Sequence, residues 1–169
     1  MKNVSKKKKW LMFDRIAKQY DWMNRLMTLG LDKSWRLKIN SALPNRKELK
    51  VLDLATGTAD VPLVIVENNA DVKEVIGMDM SIKMLEYGSK KVAEKGYSHK
   101  VNLEKGDAQD INKDDQQFDA VSISFGIRNV EDHNKTLKEM YRVLNDGGKC
   151  IILETSLPKN VVLKWGHTL

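Results

Sequence analysis

The chain has 169 residues, of which 41% are hydrophobic and 31% are charged, and its formal net charge is +6. Cys150 is the only cysteine, which excludes an intrachain disulfide framework and a metal cluster built on cysteine. The three histidines show no metal-ligand spacing, and no apolar run approaches the ~20 residues of a membrane-spanning helix. The composition therefore predicts a globular, cytoplasmic protein without a metal.

Much of the excess positive charge lies in the lysine run at residues 6–9. Such a run is typical of a solvated tail, and it would also suit a weak contact with anionic lipid, worth about 1 kcal/mol per lysine. The other lysines are scattered rather than interleaved with aromatic residues on one face, so we expect no nucleic-acid partner. Peripheral contact with the inner face of the membrane stays open.

Residues 10–43 show the apolar spacing of helices. Gly30 is predicted to interrupt this region, and Ser34 is predicted to be the N-cap of a second helix. Three of the four tryptophans and several methionines lie here, and they could either pack on the main domain or line an apolar cleft. The pattern predicts a helical cap over residues 1–43 and an α/β domain over residues 44–169.

From Lys50 onward, short apolar segments alternate with amphipathic ones. The predicted strands are residues 51–54, 75–78, 101–104, 118–124 and 150–154. The predicted helices are residues 60–67, 82–92 and 132–144. The second has Ser81 as its N-cap, and Met84, Leu85 and Gly88 face inward. The third has one apolar face and a C-cap turn at residues 145–148; the apolar residues are Leu137, Met140, Tyr141 and Leu144. Strands without polar alternation predict a doubly wound, mostly parallel α/β sheet, which binds ligands at the carboxyl ends of its strands.

The turn after the first predicted strand is unsuited to a dinucleotide. Its sequence, Asp53-Leu54-Ala55-Thr56-Gly57-Thr58, contains one glycine, whereas a dinucleotide fingerprint requires G-x-G-x-x-G. The carboxylate of Asp53 would repel a pyrophosphate and would suit a ligand with an ammonium group. The amino-acid end of S-adenosylmethionine (SAM) provides such a group.

The ends of the next three strands carry chemistry that suits the same ligand. Asp79 can accept hydrogen bonds from ribose hydroxyls. Asp107, followed by Ala108, can accept a hydrogen bond from the exocyclic amine of adenine, and Ser124 ends the fourth strand. Each of these residues could have a structural role by itself, but together they predict a SAM site. The predicted set is Asp53, Gly57, Thr58, Asp79, Asp107, Ala108 and Ser124.

Longer motifs make the chain similar to one family. They are Met12-Phe13-Asp14-Arg15-Ile16-Ala17 with Tyr20-Asp21-Trp22-Met23-Asn24, then residues 51–60, then Phe125-Gly126-Ile127-Arg128-Asn129-Val130, and then residues 142–154. With them the chain resembles the demethylmenaquinone/ubiquinone C-methyltransferases, which are class I SAM-dependent methyltransferases. The resemblance covers nearly the whole chain and implies a Rossmann-like fold with N-terminal helices over the cofactor edge.

The resemblance also implies roles for particular positions. It places Thr58, Asp79, Asp107, Ala108 and Ser124 at SAM-binding positions. Two departures from the family pattern stand out. Ala59 lies where many relatives have a second glycine, and the family continues into a further helix and a terminal strand pair, so the resemblance predicts a C-terminally shortened chain.

The activity implied by the resemblance is C-methylation of a polyprenylated quinol. The T-G-T-A-D form of the first loop favours demethylmenaquinol as the substrate and menaquinone biosynthesis as the role. A benzoquinol of the ubiquinone pathway and SAM binding without turnover remain alternatives. An RNA methyltransferase is disfavoured by the scattered lysines, and an NAD-dependent oxidoreductase by the missing glycines.

Arg128 and Asn129 are the predicted catalytic residues, because they follow the fourth strand at the edge where the methyl group would lie. A ring carbon becomes a good nucleophile only when a neighbouring hydroxyl loses its proton. Arg128 would stabilise the phenolate and Asn129 would position a water, whereas in a purely structural role Arg128 would pair with Glu131. His133 is an alternative base that we expect to be a surface residue. By resemblance, Tyr20 and Asp21 lie over the cofactor.

Overall fold

The computed structural model describes Met12, residues 14–17, Thr28 and residues 31–154. The helices are α1 (Leu31–Ala42), α2 (Asp60–Asn68), α3 (Ile82–Glu94) and α4 (His133–Arg142), with a 3-10 helix at Ile127–Asn129. The strands are β1 (Leu49–Leu54), β2 (Val72–Asp79), β3 (Val101–Lys105), β4 (Phe118–Ser124) and β5 (Leu144–Leu153). None of the described helices combines the length and the apolar character that crossing a bilayer requires.

The five strands form one parallel sheet in the order β3-β2-β1-β4-β5. This confirms the predicted doubly wound sheet. Leu54 at the end of β1 pairs with Met78 of β2 and with Ile123 of β4, so the three central strands end at the same level. Strand order reverses between β1 and β4, and ligands of such sheets bind at the carboxyl side of that reversal.

Two apolar layers cover the two faces of the sheet. Side chains alternate along each strand, so Val51 lies in the layer beneath α1, α2 and α3, whereas Leu52 lies in the layer beneath α4. Ile39 and Leu43 of α1 belong to the first layer. The predicted boundary after residue 43 therefore falls between two elements that share one core.

The N-terminal part of α3 has the predicted cap. Ser81 is fully buried, and its Oγ accepts a hydrogen bond from the Met84 backbone N–H at 3.2 Å. Met84, Leu85 and Gly88 are buried, as predicted. The N–H groups in the first turn of a helix have no partner within the helix. A serine at the N-cap that accepts a hydrogen bond from the N–H three residues later satisfies one of them.

The predicted N-cap at Ser34 is wrong. Helix α1 begins at Leu31, and the Ser34 hydroxyl donates a hydrogen bond to the Leu31 carbonyl oxygen at 2.8 Å. A serine inside a helix can bond to a carbonyl one turn earlier, and sequence alone does not separate this role from capping.

The predicted end of the last helix is also wrong. Helix α4 ends at Arg142, and β5 begins at Leu144 rather than at Cys150. The predicted C-cap turn therefore lies within β5, where Gly147 has a φ of 71° and the register with β4 shifts. A glycine with positive φ at an irregularity of strand pairing is typical of a bulge, and its sequence signal resembles that of a helix end.

The predicted apolar face of α4 is only partly buried. Met140 is buried together with Thr136, whereas Tyr141 is 81% exposed and Leu137 is 39% exposed. Helix α4 thus meets the sheet along a line through positions 136 and 140, which are one turn apart.

Candidate functional site

Backbone hydrogen bonds tie the carboxyl ends of the strands to the turns that follow them. The Thr56 N–H donates to the Met78 carbonyl oxygen at 3.1 Å, and the Gly106 N–H donates to the Asp79 carbonyl oxygen at 3.1 Å. The Phe125 N–H donates to the Leu153 carbonyl oxygen at 2.8 Å. These bonds bring the turns after β1, β3 and β4 to one edge of the sheet.

The turn after β1, which we call the β1 loop (residues 55–60), has an unusual backbone. Ala55, Gly57 and Ala59 all have positive φ, at 52°, 57° and 64°. Phe125, just after β4, has a φ of 54°. A non-glycine residue held in this region costs about 1 kcal/mol or more, and such residues cluster at functional sites.

Two glycines allow neighbouring elements to approach the β1 loop closely. A Cβ at Gly88 of α3 would lie 3.1 Å from the carbonyl carbon of Thr58, and a Cβ at Gly126 would lie 2.5 Å from the Ala55 Cβ. Any side chain at either position would displace the loop. The loop conformation is therefore set partly by elements that are distant in sequence.

Asp79 ends β2 and contacts both the β1 loop and the start of α3. Its Oδ2 accepts a hydrogen bond from the Gly57 N–H at 2.8 Å, and its Oδ1 accepts one from the Ser81 N–H at 2.8 Å. Burial raises the pKa of Asp79, although these two backbone bonds act in the opposite direction. Asp79 thus joins the β1 loop to the start of α3 at the carboxyl end of β2, the strand beside β1.

Asp53 lies beneath the β1 loop. Asp53 is only 1% exposed to solvent. Its Oδ1 accepts a hydrogen bond from the Ser122 hydroxyl of β4 at 2.6 Å. Burial raises the pKa of Asp53 from 3.8 to about 7, although the hydroxyls of Ser122 and Thr56 lower it. Direct contact between Asp53 and an ammonium group stays a prediction.

Thr58 is held by a group of charges that the sequence analysis missed. The Lys91 Nζ of α3 donates to the Thr58 Oγ1 at 3.2 Å and to the Asp60 Oδ1 at 2.6 Å. A guanidinium nitrogen of Arg36, from α1, lies 3.3 Å from the Asp60 Oδ2. The β1 loop is therefore bonded to two helices by charged side chains.

Asp107 and Ser124 lie in the turn after β3 and at the end of β4. The Asp107 Oδ1 accepts a hydrogen bond from the Gln109 N–H at 2.9 Å, and Ala108 is buried beside it. The Ser124 Oγ is buried and has no hydrogen-bond partner among the described residues. A buried hydroxyl without a partner is rare and is a feature of sites that receive a polar ligand group.

Arg128 forms an ion pair with Glu154, not with Glu131. Its guanidinium donates to the Glu154 Oε1 at 2.9 Å, whereas Glu131 was the partner expected if Arg128 had a purely structural role. Arg128 and the half-buried Asn129 both belong to the 3-10 helix at Ile127–Asn129. Glu154 follows β5, so the ion pair joins the carboxyl ends of β4 and β5.

The described part of the N-terminal region reaches the same edge. The Asp14 Oδ1 accepts hydrogen bonds from the Ser81 hydroxyl at 2.5 Å and from the Lys83 N–H at 3.3 Å. The Trp35 ring of α1 lies 6.0 Å from the Phe125 ring, measured between centroids. The predicted residues Tyr20 and Asp21 lie outside the described residues, and so does the lysine run.

His133 is the first residue of α4 and is exposed, as expected of a surface residue. Within the part of the chain that the structure describes, no group of histidine, cysteine, aspartate and glutamate residues could hold a metal ion.

The missed residues Lys91 and Arg36 carry weak sequence signals. Lys91 lies 31 positions after Asp60 in the chain, and a lysine on an amphipathic helix normally indicates a solvated face. The one sequence feature that could have indicated a contact is that Lys91 lies three residues after the inward-facing Gly88, and therefore near the same side of α3.

Solved structures with a similar fold include the YcgJ protein from Bacillus subtilis, with a TM-score of 0.68 and 26% identity. The match covers 77% of this chain and 54% of that protein. A SAM-dependent methyltransferase from Aquifex aeolicus matches with a TM-score of 0.65 and 20% identity, over 75% of this chain and 66% of its own. The chain therefore has the Rossmann-like fold of SAM-dependent methyltransferases.

Sequence comparison agrees with the fold. The chain is 42% identical over 153 residues to the ubiquinone/menaquinone biosynthesis C-methyltransferase UbiE of Geotalea daltonii, which covers 90% of this chain and 65% of that protein. It is 41% identical over 155 residues to the demethylmenaquinone methyltransferase of Lactobacillus johnsonii, which covers 92% of this chain and 64% of the relative. The chain thus spans about 65% of the length of these relatives. The model of the ubiE/COQ5 methyltransferase family matches residues 1–169, and the chain belongs to this family.

Proposed function

We propose that the protein transfers a methyl group from SAM to the ring carbon of a polyprenylated quinol, with demethylmenaquinol as the first candidate substrate. Relatives about 40% identical to the chain are named for the menaquinone reaction or for both the ubiquinone and the menaquinone pathways. A benzoquinol of the ubiquinone pathway is therefore the second candidate.

The arrangement of Asp79 is the observation that carries the proposal. Its carboxylate accepts backbone hydrogen bonds from Gly57 and Ser81, with a further one from Met80, and a carboxylate has about four acceptor positions. Asp79 can therefore keep these bonds and still accept a hydrogen bond from a ribose hydroxyl. Its position at the carboxyl end of β2, the strand beside β1, lies at the edge where parallel sheets bind nucleotides.

The other residues at this edge fit the remaining parts of SAM. The buried Ser124 Oγ has no hydrogen-bond partner among the described residues and can bond to a polar ligand group. Asp107 can accept a hydrogen bond from the adenine amine. The donor set of carboxylates, hydroxyls and backbone N–H groups suits a nucleoside with an amino-acid tail.

SAM, when bound, supplies a methyl group that its sulfonium already activates. The chain must therefore mainly orient the quinol, exclude water and stabilise the phenolate that makes the ring carbon nucleophilic. The paired rings of Trp35 and Phe125 offer an apolar surface for the quinol ring beside Arg128. Arg128 is the cation that would stabilise the phenolate, and Asn129 would position the water that receives the proton.

We also propose that the protein meets its substrate at a membrane surface, because a polyprenylated quinol resides there. Met80 and Ile82 follow Asp79 at the site edge and are 37% and 50% exposed, as apolar side chains that insert among lipids would be. Co-sedimentation with vesicles that contain an anionic lipid, compared with neutral vesicles, tests this contact. Equal recovery from both kinds of vesicle would contradict an electrostatic contribution.

Calorimetric titration with SAM and with S-adenosylhomocysteine tests the cofactor. We expect Asp79→Asn to weaken binding by about tenfold or more, because the amide can accept fewer hydrogen bonds than the carboxylate. Asp119→Asn is the matched control. Asp119 lies at the amino end of β4 and also accepts a backbone hydrogen bond, from the Lys50 N–H at 2.9 Å. Equal effects of the two substitutions on affinity would contradict the proposed site.

Turnover is tested by transfer of a labelled methyl group from SAM to chemically reduced demethylmenaquinol or to the corresponding benzoquinol. Labelling of the naphthoquinol at the higher kcat/KM supports the first candidate, and the reverse order supports the second. SAM binding without labelling of either quinol would identify the chain as a SAM-binding protein without turnover.

A further inference from the structure

The start of α2, at the end of the β1 loop, lacks a side-chain cap. The N-cap residue of α2 is Ala59, whose φ of 64° is left-handed, and no side chain caps the helix. Most N-cap residues have an extended backbone and a side chain that accepts a hydrogen bond from the helix. Ala59 has neither feature, so contacts from other residues must stabilise the conformation at the start of α2.

Lys91 bonds to the residues on both sides of Ala59. Its Nζ lies 3.2 Å from the Thr58 Oγ1 and 2.6 Å from the Asp60 Oδ1. The side chains of Lys91 and Asp60 are only 20% and 21% exposed, so water screens their interaction less than it screens a surface pair. One ammonium group thus bridges the strained residue.

Arg36 extends the network to α1. Its guanidinium lies 3.3 Å from the other carboxylate oxygen of Asp60, and its side chain is 8% exposed. Asp60 is therefore held from two sides by cations on two helices. Backbone strain persists only where the surrounding structure restrains it in this way.

We propose that Lys91 is a positioning residue for cofactor binding, which holds the β1 loop in its strained, binding-competent conformation through Thr58 and Asp60. The proposal rests on the SAM site proposed above. The Thr58 hydroxyl bonds to Lys91 and the residue is buried, so Thr58 serves the cofactor through its backbone. Without the restraint the loop relaxes, and apparent affinity falls in proportion to the fraction of molecules that keep the competent loop.

The chain offers a matched control at the C-cap of the same helix. Lys95 lies one turn after Lys91 and pairs with Glu67 of α2, with 2.5 Å between Nζ and Oε1. Both lysines therefore join α3 to α2, but only Lys91 touches the β1 loop. Comparing Lys91→Met with Lys95→Met separates the positioning of the loop from the packing of the two helices.

The experiment measures two quantities on the wild type and on both variants. Calorimetry gives the Kd for SAM, and we expect Lys91→Met to raise it about tenfold while Lys95→Met leaves it unchanged. Amide hydrogen exchange without cofactor should be faster over residues 56–60 in Lys91→Met alone. Lys91→Arg keeps the cation and should recover most of the affinity, and thermal unfolding identifies any variant that does not fold.

Equal affinity of the wild type and Lys91→Met, or equal losses in the two methionine variants, would overturn the proposal. If the wild type itself does not bind SAM, the proposed cofactor is wrong. Exchange then decides the role of Lys91 by itself: faster exchange of the loop in Lys91→Met alone supports it, and unchanged exchange overturns it. If Lys91→Met does not fold, failure of Lys91→Arg to recover affinity overturns the proposal.

Discussion

The surroundings of the carboxylates differ between the two edges of the sheet, and their pKa values shift in opposite directions. At the carboxyl edge, burial raises the pKa of both Asp53 and Asp79. At the amino edge, hydrogen bonds from Arg142 lower the pKa of Glu139. A carboxylate with a raised pKa is less stable in the folded protein than in water, and one with a lowered pKa is more stable.

Arg142 at the end of α4 organises the amino edge. Its guanidinium donates to both oxygens of Glu139 and to Asp115, and also to the carbonyl oxygens of Ile111 and Lys113. Every donor direction of a guanidinium fork is matched there, in contrast to the buried hydroxyl of Ser124 at the other edge. Arg142 at the amino edge is thus fully matched by acceptors, while the carboxyl edge retains the Ser124 hydroxyl, unmatched among the described residues, which a ligand can use.

The largest effect should follow from removing Arg142. We expect Arg142→Met to lower the free energy of unfolding by about 2 to 3 kcal/mol, because two carboxylates and two carbonyl oxygens lose their donor at once. SAM affinity should stay unchanged. Denaturant unfolding and calorimetry on the same preparation measure both quantities.

Arg128→Met is the control at the other edge. Arg128 pairs with Glu154 and its side chain is 53% exposed, so we expect a stability loss below about 1 kcal/mol. Turnover should fall sharply while SAM still binds. If the two arginine variants lost similar stability, the contrast between the edges would be refuted.

A smaller effect concerns the pH dependence of stability. The pKa of Asp53 rises from 3.8 in the unfolded chain to about 7 in the folded protein, so the folded state holds an extra proton between these values. Stability attributable to Asp53 is therefore lost as pH rises through this window. We expect the wild type to lose about 2 kcal/mol relative to Asp53→Asn between pH 5 and pH 7.5.

Unfolding curves of both proteins at several pH values measure this difference. Glu139 should behave in the opposite way, because its lowered pKa contributes stability that is lost as pH falls through the folded value. Parallel stability profiles of the wild type and Asp53→Asn would show that Asp53 is not buried as described.

The smallest effect tests the strain in the β1 loop. Ala55 is exposed and has a φ of 52°, so Ala55→Gly should raise the free energy of unfolding by about 0.5 kcal/mol. Ala70 is also exposed but is not among the residues with positive φ, and Ala70→Gly should lower stability by a similar amount. Changes of the same sign in the two variants would argue against strain at Ala55.

The sequence by itself determined the class of fold and the family. Apolar segments without polar alternation predicted the parallel sheet, and β4 was predicted with its observed bounds. The motifs after the strands predicted family membership, which the comparisons confirm. These properties follow from local patterns and from residues that are adjacent in the chain.

Element ends were less predictable, because one short signal fits several structures. Ser34 could either cap a helix or bond inside one, and a glycine pair could end α4 or form a bulge in β5. In each case the choice depended on which neighbouring element was available for pairing. Local propensity has no access to that information.

Only the tertiary structure decided how the predicted site residues are held. Sequence placed Asp79 and Thr58 at the ends of elements, but it could not show that Asp79 bonds to the Gly57 N–H or that Lys91 bonds to Thr58. It also could not show that Arg128 pairs with Glu154 rather than with Glu131. These contacts join residues that are 22 to 33 positions apart in the chain, and only the packing of helices on the sheet brings them within hydrogen-bond distance.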